Sequence, residues 1–359
     1  MRVLYFGTYD RDYPRNAQVI SCLRGAGAEV VEQHVSVWEP RRDTWAAGVA
    51  SAVRVGVSEL RLLRRPKGFD VLIVGYPGHF DMPAARRAAR GKPVVFNPLV
   101  SLYDTLVGDR HRFRARSFAA RTLLAVDRRA FRGADLVVAD THAHAEFLAG
   151  LAGIPCAKIE VCLVGAEERI FRPGWRPEEP FTALFVGKLI PLHGVDTILE
   201  AARLAPELRL RIVGSGQLDA LLDGRPENVE WVRWAEYEAL PRELDRAGCA
   251  LGIFGTSAKA QRVIPNKAYQ ALACGVPLVT GDTPAARELL VDGESALLVV
   301  PGDAEALVAA LRRLAGDPGL ARHLSGGGLY TYQQRASEEV LGRRWVEVLE
   351  RALGEKQRR

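Results

Sequence analysis

Two lysines in the second half of the chain stand where proteins commonly bind an anion. Lys188 follows a glycine that closes the short apolar run 183–186, and Lys267 lies two residues after Pro265, where a helical pattern begins. A strand that ends at a glycine and leads towards a helix leaves backbone N–H groups free, and the helix dipole favours negative charge there by roughly 0.3–1 kcal/mol. A lysine at such a position adds a charge-assisted hydrogen bond of about 1.5–3 kcal/mol. The two stretches therefore predict a site for a phosphate or another anionic group.

Short, continuously apolar segments alternate with helical patterns along the whole chain. This alternation is typical of parallel sheets covered on both faces by helices. A Pro-, Gly- and charge-rich stretch at 174–180 predicts a linker, and 359 residues suit two domains better than one. The predicted strands are 2–6, 30–37, 69–78, 92–98, 134–141 and 158–164 before the linker, and 181–186, 207–213, 228–232, 249–254, 276–280 and 296–300 after it.

Helical patterns connect these strands. Helices are predicted over 16–25 and 44–65, and a final pair over 303–315 and 317–324. A long amphipathic pattern over 333–353, with Trp345 on its apolar side, predicts a C-terminal helix.

Further candidate positions follow the ends of predicted strands, where open α/β sheets bind their ligands. Gly7 and Gly214 each close a strand, and the turn at Gly214 either approaches a nucleotide or is simply a tight connection. Asp104 follows the strand that ends near residue 98, where it either orients a substrate hydroxyl or lies in a surface loop, and His79 poses the same choice.

Two short patterns suggest metal ligands but do not predict a metal site. Asp10-Arg11-Asp12 is a D-x-D pattern, yet no neighbouring carboxylates complete a site for a hard cation. His142 and His144 stand at the start of a predicted helix, where this spacing does not place them on one face. Thr141 is predicted to cap that helix.

Charge is unevenly distributed along the chain. Residues 1–170 hold 25 Lys and Arg against 18 Asp and Glu, whereas the remainder is almost balanced. The arginine-rich run 110–132 fits either a basic amphipathic helix that meets anionic lipid or an outer helix of the first domain. A basic domain favours a phosphate, an anionic membrane or a nucleic acid as partner, or is a solvated arginine surface.

The lengths of the apolar runs and the spacing of the cysteines indicate the cellular compartment of the protein. No apolar run reaches the ~18 residues that a membrane span needs, and the N-terminal segment lacks the pattern of a signal peptide. The five cysteines are widely spaced and form no C-x-x-C pair. A reduced, cytoplasmic protein is therefore predicted, without a cysteine-based zinc site.

Taken together, these motifs resemble the family-4 retaining glycosyltransferases, which have the GT-B fold. VGKLIPLHGVDTILEAA is similar to the strand–Gly–basic–Leu–Pro signature of that family, and IVGSGQL to its Val-Gly-x-Gly turn. PNKAYQALACGVPLVTGDTPAARELLVDGESALLVVPGD is similar to its donor-site helix and the strands after it, and GAEERIFRP to the segment that ends its first domain.

The resemblance implies a fold of two doubly wound, Rossmann-like domains facing across a cleft. Residues 1–170 would form the acceptor-side domain, residues 171–335 the donor domain, and residues 336–359 a helix that packs back on the first domain. The implied reaction transfers a hexose-type sugar from a UDP- or GDP-type donor to an acceptor hydroxyl, with retention and without a metal ion or cofactor. The acceptor would be a glycan, a lipid-linked molecule or a small molecule, as in cell-envelope synthesis at the inner face of the membrane, and no nucleic acid partner is expected.

The resemblance also assigns roles to particular residues. The residue at the Lys188 position contacts the donor diphosphate, whereas His193 stands where a second lysine is usual, and we expect Lys267 to take over part of that role. Arg262 and Gln270 replace two glutamates of the family, and Gln270 remains able to bind ribose hydroxyls. The predicted catalytic residues are Lys188, Lys267 and Asp104, and the predicted donor-binding residues are Gly7, Gly187, Lys188, His193, Gly214, Arg262, Val263, Ile264, Asn266, Lys267 and Gln270.

Two alternatives stay open at this point. A nucleotide-sugar epimerase shares the same architecture and would change its substrate without an acceptor. A catalytically impaired homologue that only binds nucleotide would be compatible with the two missing glutamates.

Overall fold

The computed structural model describes residues 1–11, 13–36, 62 and 68–358. The predicted helix over 44–65, apart from Leu62, and Asp12 of the D-x-D pattern lie outside the described residues. The chain divides into two compact units. The first comprises Met1–Val107, His111–Val164 and Glu338–Arg359, and the second comprises Gly108–Arg110 and Gly165–Ser337.

Twelve strands form two parallel sheets of six strands each. The sheet of the first unit has the order β2-β1-β3-β4-β5-β6, and that of the second has the order β12-β11-β10-β7-β8-β9. The strands are β1 Arg2–Gly7, β2 Glu29–His34, β3 Val71–Val74, β4 Val94–Phe96, β5 Leu136–Ala139, β6 Ile159–Val161, β7 Thr182–Val186, β8 Arg209–Val213, β9 Val229–Val232, β10 Cys249–Leu251, β11 Leu278–Gly281 and β12 Leu297–Val299. Each lies within or overlaps a strand predicted from the sequence, so the prediction of two doubly wound parallel sheets is confirmed.

Helices connect most of these strands. They are α1 Pro14–Gly25, α2 Met82–Ala89, α3 Phe118–Gly133, α4 His142–Ala152, α5 Val195–Leu204, α6 Leu240–Arg246, α7 Asn266–Cys274, α8 Pro284–Arg287, α9 Ala304–Gly316, α10 Pro318–Arg335 and α11 Glu338–Gln357. The side chain of Thr141 accepts a hydrogen bond from the His144 N–H and caps α4, as predicted.

Each sheet buries both of its faces. In the first unit, alternation along β1 places Val3 and Tyr5 in one apolar cluster and Leu4 and Phe6 in another. In the second unit, one cluster joins Phe185 of β7 to residues of α5 and α9. Because both faces are covered, the strands appear in the sequence as continuous apolar runs.

The C-terminal helix α11 completes the core of the first unit. It lies against α1 so closely that a Cβ added at Gly342 would stand 2.6 Å from the carbonyl oxygen of Cys22. Trp345 is fully buried, and the guanidinium of Arg15 lies 5.6 Å from the centre of its ring. The carboxylate of Glu160 pairs with Arg344 of the same helix.

Three helical predictions need correction. The predicted tail helix does not start at residue 333, because α10 continues to Arg335 and α11 begins at Glu338. The predicted helix over 110–132 begins only at Phe118, because the Ser117 hydroxyl accepts the Ala120 N–H and caps it. Between β8 and β9 the chain forms only a 3₁₀ turn, Asp219–Leu222, where a helix was predicted.

Within the described ranges, no helix has both the length and the apolar character needed to cross a membrane.

Candidate donor-binding site

Two glycine turns meet at the carboxyl ends of β7 and β8. Gly187 and Gly214 have φ of +147° and +135°, a region that favours glycine. A Cβ at Gly214 would lie 2.1 Å from the Gly187 carbonyl oxygen, so the backbones touch here. The Gly187 N–H donates to Val213 and the Gly214 N–H to Val232, at 2.9 and 2.8 Å. The N–H groups of both glycines therefore extend the sheet, and the prediction of free N–H groups after the apolar run 183–186 is wrong for Gly187.

Lys188 follows the first glycine turn with an exposed side chain. The chain then forms a 3₁₀ turn, Pro191–His193, before α5 begins at Val195. Gly194 ends that turn with φ of +65°. A Cβ there would lie 2.5 Å from the carbonyl carbon of Phe254, so the position requires a glycine. The helix therefore starts just past Gly194, as predicted, but eight residues separate it from β7.

His193 is buried beside this turn and is uncharged near neutral pH. Burial, reinforced by the nearby charge of Lys267, lowers the pKa of its imidazole well below the usual range. Its Nδ1 lies in hydrogen-bond contact with the Lys188 carbonyl oxygen, which can only accept. Nδ1 therefore carries the ring proton, and Nε2 is an acceptor. In this state His193 supplies no positive charge where the family usually has a second lysine.

Lys267, in the first turn of α7, supplies a cation next to the Gly187 turn. Its Nζ lies 3.5 Å from the centre of the Phe185 ring, and a Cβ added at Gly187 would lie 2.9 Å from that same nitrogen. The residue is 8% exposed, and among the described residues its ammonium has no hydrogen-bond partner. Burial lowers the pKa of Lys267 well below the usual range. A buried cation without a partner is costly, and an anion at this turn would supply the partner.

Gln270, one turn along α7 from Lys267, belongs to a buried hydrogen-bonded group. Its Nε2 donates to the hydroxyl of Tyr237 at 3.4 Å. Burial, followed by the charge of nearby Glu167, raises the pKa of Tyr237. Glu167 is buried and pairs with Arg169 at 3.1 Å. The Tyr237 ring stands edge-on to Phe171, with ring centres 5.4 Å apart.

The other donor-site candidates surround the start of α7. Arg262 ends a 3₁₀ turn, Ala260–Arg262, and Val263 follows in extended conformation. Ile264 is buried and Asn266 begins the helix, one residue later than predicted. The segment therefore brings the predicted residues to one end of α7.

Gly7 lies in the first unit, at the end of β1, against a buried carboxylate. The Thr8 N–H donates to Asp81 Oδ2 at 2.7 Å, and the Thr8 hydroxyl donates to Oδ1 at 2.9 Å. Gly7 has φ of +129°, and a Cβ added there would collide with the same carboxylate. Asp81 thus takes the hydrogen-bond donors of Thr8, and a role for Gly7 in donor binding stays a prediction.

Asp104, also in the first unit, is not in an exposed surface loop. It is 8% exposed and begins a π-helical turn, Asp104–Asp109. Its N–H donates to the Ser101 hydroxyl at 3.0 Å, and that hydroxyl donates to the buried carboxylate of Asp127 at 2.6 Å. The Nε2 of His79 lies 3.4 Å from the same carboxylate. His79 is therefore a core residue, and burial lowers its pKa.

In the second unit the fold brings together most of the residues predicted to bind the donor. The residues at this site are Gly187, Lys188, His193, Gly214, Lys267 and Gln270. Sequence reasoning missed Phe185, Tyr237 and Glu167, because no local pattern reveals a ring beneath a lysine or a hydrogen bond between distant segments. Within the described ranges, no group of three or more His, Cys, Asp and Glu side chains could hold a metal ion.

Comparisons with known proteins bear on both units. Residues 2–165 match the family model described as "Glycosyl transferase 4-like domain", and residues 180–317 match the one described as "Glycosyl transferases group 1". The amylovoran biosynthesis glycosyltransferase AmsK of Erwinia amylovora is 32% identical over 176 residues, or 45% of this chain and 43% of that protein. A GDP-mannose-dependent alpha-mannosyltransferase of Mycobacterium tuberculosis (strain CDC 1551 / Oshkosh) is 28% identical over 84% of this chain and 76% of its own length.

Solved structures share the fold at low sequence identity. Sucrose-phosphate synthase from Thermosynechococcus elongatus is 16% identical with a TM-score of 0.75, covering 98% of this chain and 99% of that one. Anabaena HepE in complex with UDP-glucose is also 16% identical, with a TM-score of 0.68 and the same coverage.

The two parallel sheets and these structural neighbours define an α/β protein of the GT-B fold. Together with the two family matches, they place the chain in the group 1 glycosyltransferases, of family 4. The chain is a glycosyltransferase.

Proposed function

We propose that this protein transfers a sugar from a nucleoside diphosphate donor to an acceptor hydroxyl, with retention of configuration and without a metal ion. The observation that carries the proposal is the buried ammonium of Lys267 beside Gly187, which has no hydrogen-bond partner among the described residues. With exposed Lys188 at the same turn, it provides two cations for the two phosphates of a leaving diphosphate.

The chemistry explains why two lysines are placed here. As the bond between sugar and phosphate breaks, negative charge develops on the diphosphate oxygen. Pre-placed cations stabilise that charge without reorganising, and the loss of one such contact typically costs about 2.7–4 kcal/mol. Because Lys188 and Lys267 can fill this role, the proposed reaction does not depend on a divalent ion.

The known proteins suggest the type of donor. One relative is named as GDP-mannose-dependent, and HepE has been solved with UDP-glucose. We therefore expect a UDP- or GDP-sugar. Retention is proposed from the resemblance to family-4 enzymes.

The acceptor is proposed to lie at an anionic membrane surface. Arg121, Arg128, Arg129 and Arg132 line an exposed face of α3, whereas Asp127 of the same helix is buried. Phe118, at the start of the helix, is 85% exposed. Cations beside an exposed aromatic ring suit an interface with anionic lipid, and this favours a lipid-linked glycan as acceptor. Sedimentation with vesicles containing anionic lipid, but not with neutral vesicles, is expected.

The test of the proposal has two stages. UDP- and GDP-sugars are screened for thermal stabilisation, and a ligand at 100 times its dissociation constant adds about 2.7 kcal/mol. The stabilising donor is then incubated with acceptor and EDTA, and the anomeric configuration of the product is read by NMR. Inversion, or activity lost with EDTA and restored by a divalent ion, would contradict the proposal.

The two alternatives give different results in the same assay. An epimerase would convert the donor when no acceptor is present. An impaired homologue would bind the nucleotide but never release nucleoside diphosphate.

A further inference from the structure

The two chain segments that form the proposed diphosphate site carry several positive charges and no negative ones. Neither residues 183–195 nor residues 252–281 contain an Asp or a Glu. The basic residues of these two segments are Lys188, Lys259, Arg262 and Lys267. The next acidic residue along the chain, Asp282, pairs with Arg287 at 2.6 Å. The two segments together therefore produce a positive potential, which attracts anionic ligands.

The backbones of these two segments touch at one edge of the sheet. Strands β7 and β10 are parallel neighbours, so the segments that follow them leave the sheet at the same edge. The Phe254 N–H donates to the His193 carbonyl oxygen at 3.1 Å. A Cβ added at Gly255 would lie 2.4 Å from the Leu192 carbonyl oxygen. The segment after β10 is therefore fixed beside the segment after β7.

The 3₁₀ turn that ends at Arg262 continues this contact. Its first residue, Ala260, is fully buried in an apolar cluster with Ile190 and Leu192. Lys259 precedes the turn and is 7% exposed, and its carbonyl oxygen accepts the Arg262 N–H at 3.0 Å. The fold thus holds two further basic residues beside the loop that carries Lys188.

The buried ring of His193 lies within the influence of these charges. Burial, and then the charges of Lys267, Arg110 and Lys259, lower the pKa of its imidazole well below the usual range. Because the ring is uncharged and the two segments contain no carboxylate, the positive charge of the site is not balanced from within these segments.

The positive charge exceeds what a donor with a neutral sugar requires. Lys188 and Lys267 match the two phosphates, and Lys259 and Arg262 add charge beyond that requirement. In the sheet, β7 lies between β8 and β10, so the Gly214 turn and the Lys259 segment flank the diphosphate turn on opposite sides. The nucleoside and the sugar also extend from opposite ends of a diphosphate. A nucleoside has no anionic group, so the more positive side suits the sugar.

We propose that the sugar of the donor is a uronic acid, and that Lys259 and Arg262 bind its carboxylate. The planar guanidinium of an arginine matches a carboxylate with two parallel hydrogen bonds. This inference rests on the proposed function, since it requires the donor diphosphate at the Gly187 turn. It names the substrate class of the same site: a nucleoside diphosphate sugar whose sugar ring bears a negative charge.

The test compares calorimetric binding of donors that differ only in the carboxylate. The pairs are UDP-glucuronate and UDP-glucose, UDP-galacturonate and UDP-galactose, and GDP-mannuronate and GDP-mannose. In at least one pair we expect the wild-type chain to bind the uronate about ten- to a hundredfold more tightly, as one charge-assisted hydrogen bond provides. Equal affinities in every pair would overturn the inference. Binding of methyl glucuronide to the complex with UDP-glucose would then assign the carboxylate to the acceptor.

Variants assign the preference to particular residues. Arg262→Gln and Lys259→Gln should each bring the ratio of the two affinities close to one, and Arg262→Glu should make the neutral sugar the tighter ligand. Arg262 is only partly buried, so its variants should fold. Arg203→Gln, at an exposed arginine of the same unit, is the matched control and should keep the ratio. An unchanged ratio in either glutamine variant would overturn the inference.

Failure of the proposed function gives a different result. If Lys188→Ala binds these donors as tightly as the wild type, the diphosphate does not lie at this site, and both proposals fall. If Lys188→Ala weakens binding but the wild type does not prefer any uronate, only the acidic sugar is refuted.

Discussion

The ammonium of Lys267 lies 3.5 Å from the centre of the Phe185 ring, on the strand that leads into the Gly187 turn. A cation over an aromatic face gains about 2 kcal/mol or more when desolvated. That gain only partly offsets burial, because the pKa of Lys267 is well below its usual range. The ring thus holds in place a group that is poorly satisfied until an anion arrives. We regard the buried lysine as a local loss of stability that is retained because it favours binding of an anion.

Replacing this lysine should stabilise the unliganded protein. We expect Lys267→Met to raise the free energy of unfolding by about 1–3 kcal/mol, since it removes a buried polar group without a partner. The gain should be larger at lower pH. In the unfolded chain Lys267 is protonated below its ordinary pKa of about 10.4, whereas in the native state its pKa is lower and it binds the proton only at lower pH. The unfolded state therefore binds more protons, and this group lowers the free energy of unfolding as pH falls.

Denaturant titrations at several pH values measure this effect. Lys188→Met is the matched control, because Lys188 is exposed and its loss should change stability by no more than about 0.5 kcal/mol. A Lys267→Met protein that is less stable than the wild type would mean that the lysine has a partner in the native state.

Binding of a diphosphate should be accompanied by proton uptake. The negative charge of the bound diphosphate raises the lowered pKa of Lys267. It also raises the pKa of His193, which burial lowers in the unliganded protein. Calorimetry of UDP or GDP in buffers of different ionisation enthalpy gives the number of protons taken up. We expect proton uptake in the wild type at pH values where unliganded Lys267 is partly deprotonated, and a smaller value in Lys267→Met. Equal uptake in the two proteins would refute the role of the lysine.

Gly214 should tolerate no side chain. A Cβ there would stand 2.1 Å from the Gly187 carbonyl oxygen at a φ of +135°, so Gly214→Ala must push the two turns apart. We expect a loss of about 1–3 kcal/mol in stability and weaker nucleotide binding. Gly224→Ala in the same unit, where the added Cβ would meet nothing within 4 Å, is the control and should change unfolding midpoints little.

The contact between α1 and α11 gives a stability prediction for the first unit. Gly342→Ala places a methyl group 2.6 Å from the Cys22 carbonyl oxygen and should cost about 1–3 kcal/mol. Gly354→Ala on the same helix meets only the tip of Arg358 at 3.8 Å and should be neutral or stabilise by up to about 1 kcal/mol. Thermal unfolding of both variants tests this, and equal midpoints would contradict the close packing.

The strands could be predicted because parallel strands with two buried faces read as continuous apolar runs, as β3 and β5 do. The length of α10 could not be predicted from the sequence. Its pattern weakens at Ser325-Gly326-Gly327-Gly328, yet the helix continues because the chain packs against it. A Cβ at Gly327 would lie 2.0 Å from the Glu294 carbonyl oxygen. Helix there depends on tertiary contact, which local propensity does not report.

The part of the site that could be predicted consists of residues that lie directly after a strand or at the start of a helix. Lys188 was predicted from its place after β7, and Lys267 from its place at the start of α7. The hydrogen bond between Gln270 and Tyr237 could not be predicted, because the two residues come from separate segments and meet only in the fold. The uncharged state of His193 likewise depends on burial and on the Lys188 carbonyl, neither of which the sequence shows.

The central claim is that a leaving diphosphate binds at Lys188, and turnover of Lys188→Ala tests it most directly. The control is Arg203→Ala, at an exposed arginine of α5 that pairs with neighbouring Glu200. The account predicts that Lys188→Ala folds normally and loses about a hundredfold or more in turnover, whereas Arg203→Ala keeps its rate. Turnover at the wild-type rate in Lys188→Ala would contradict it.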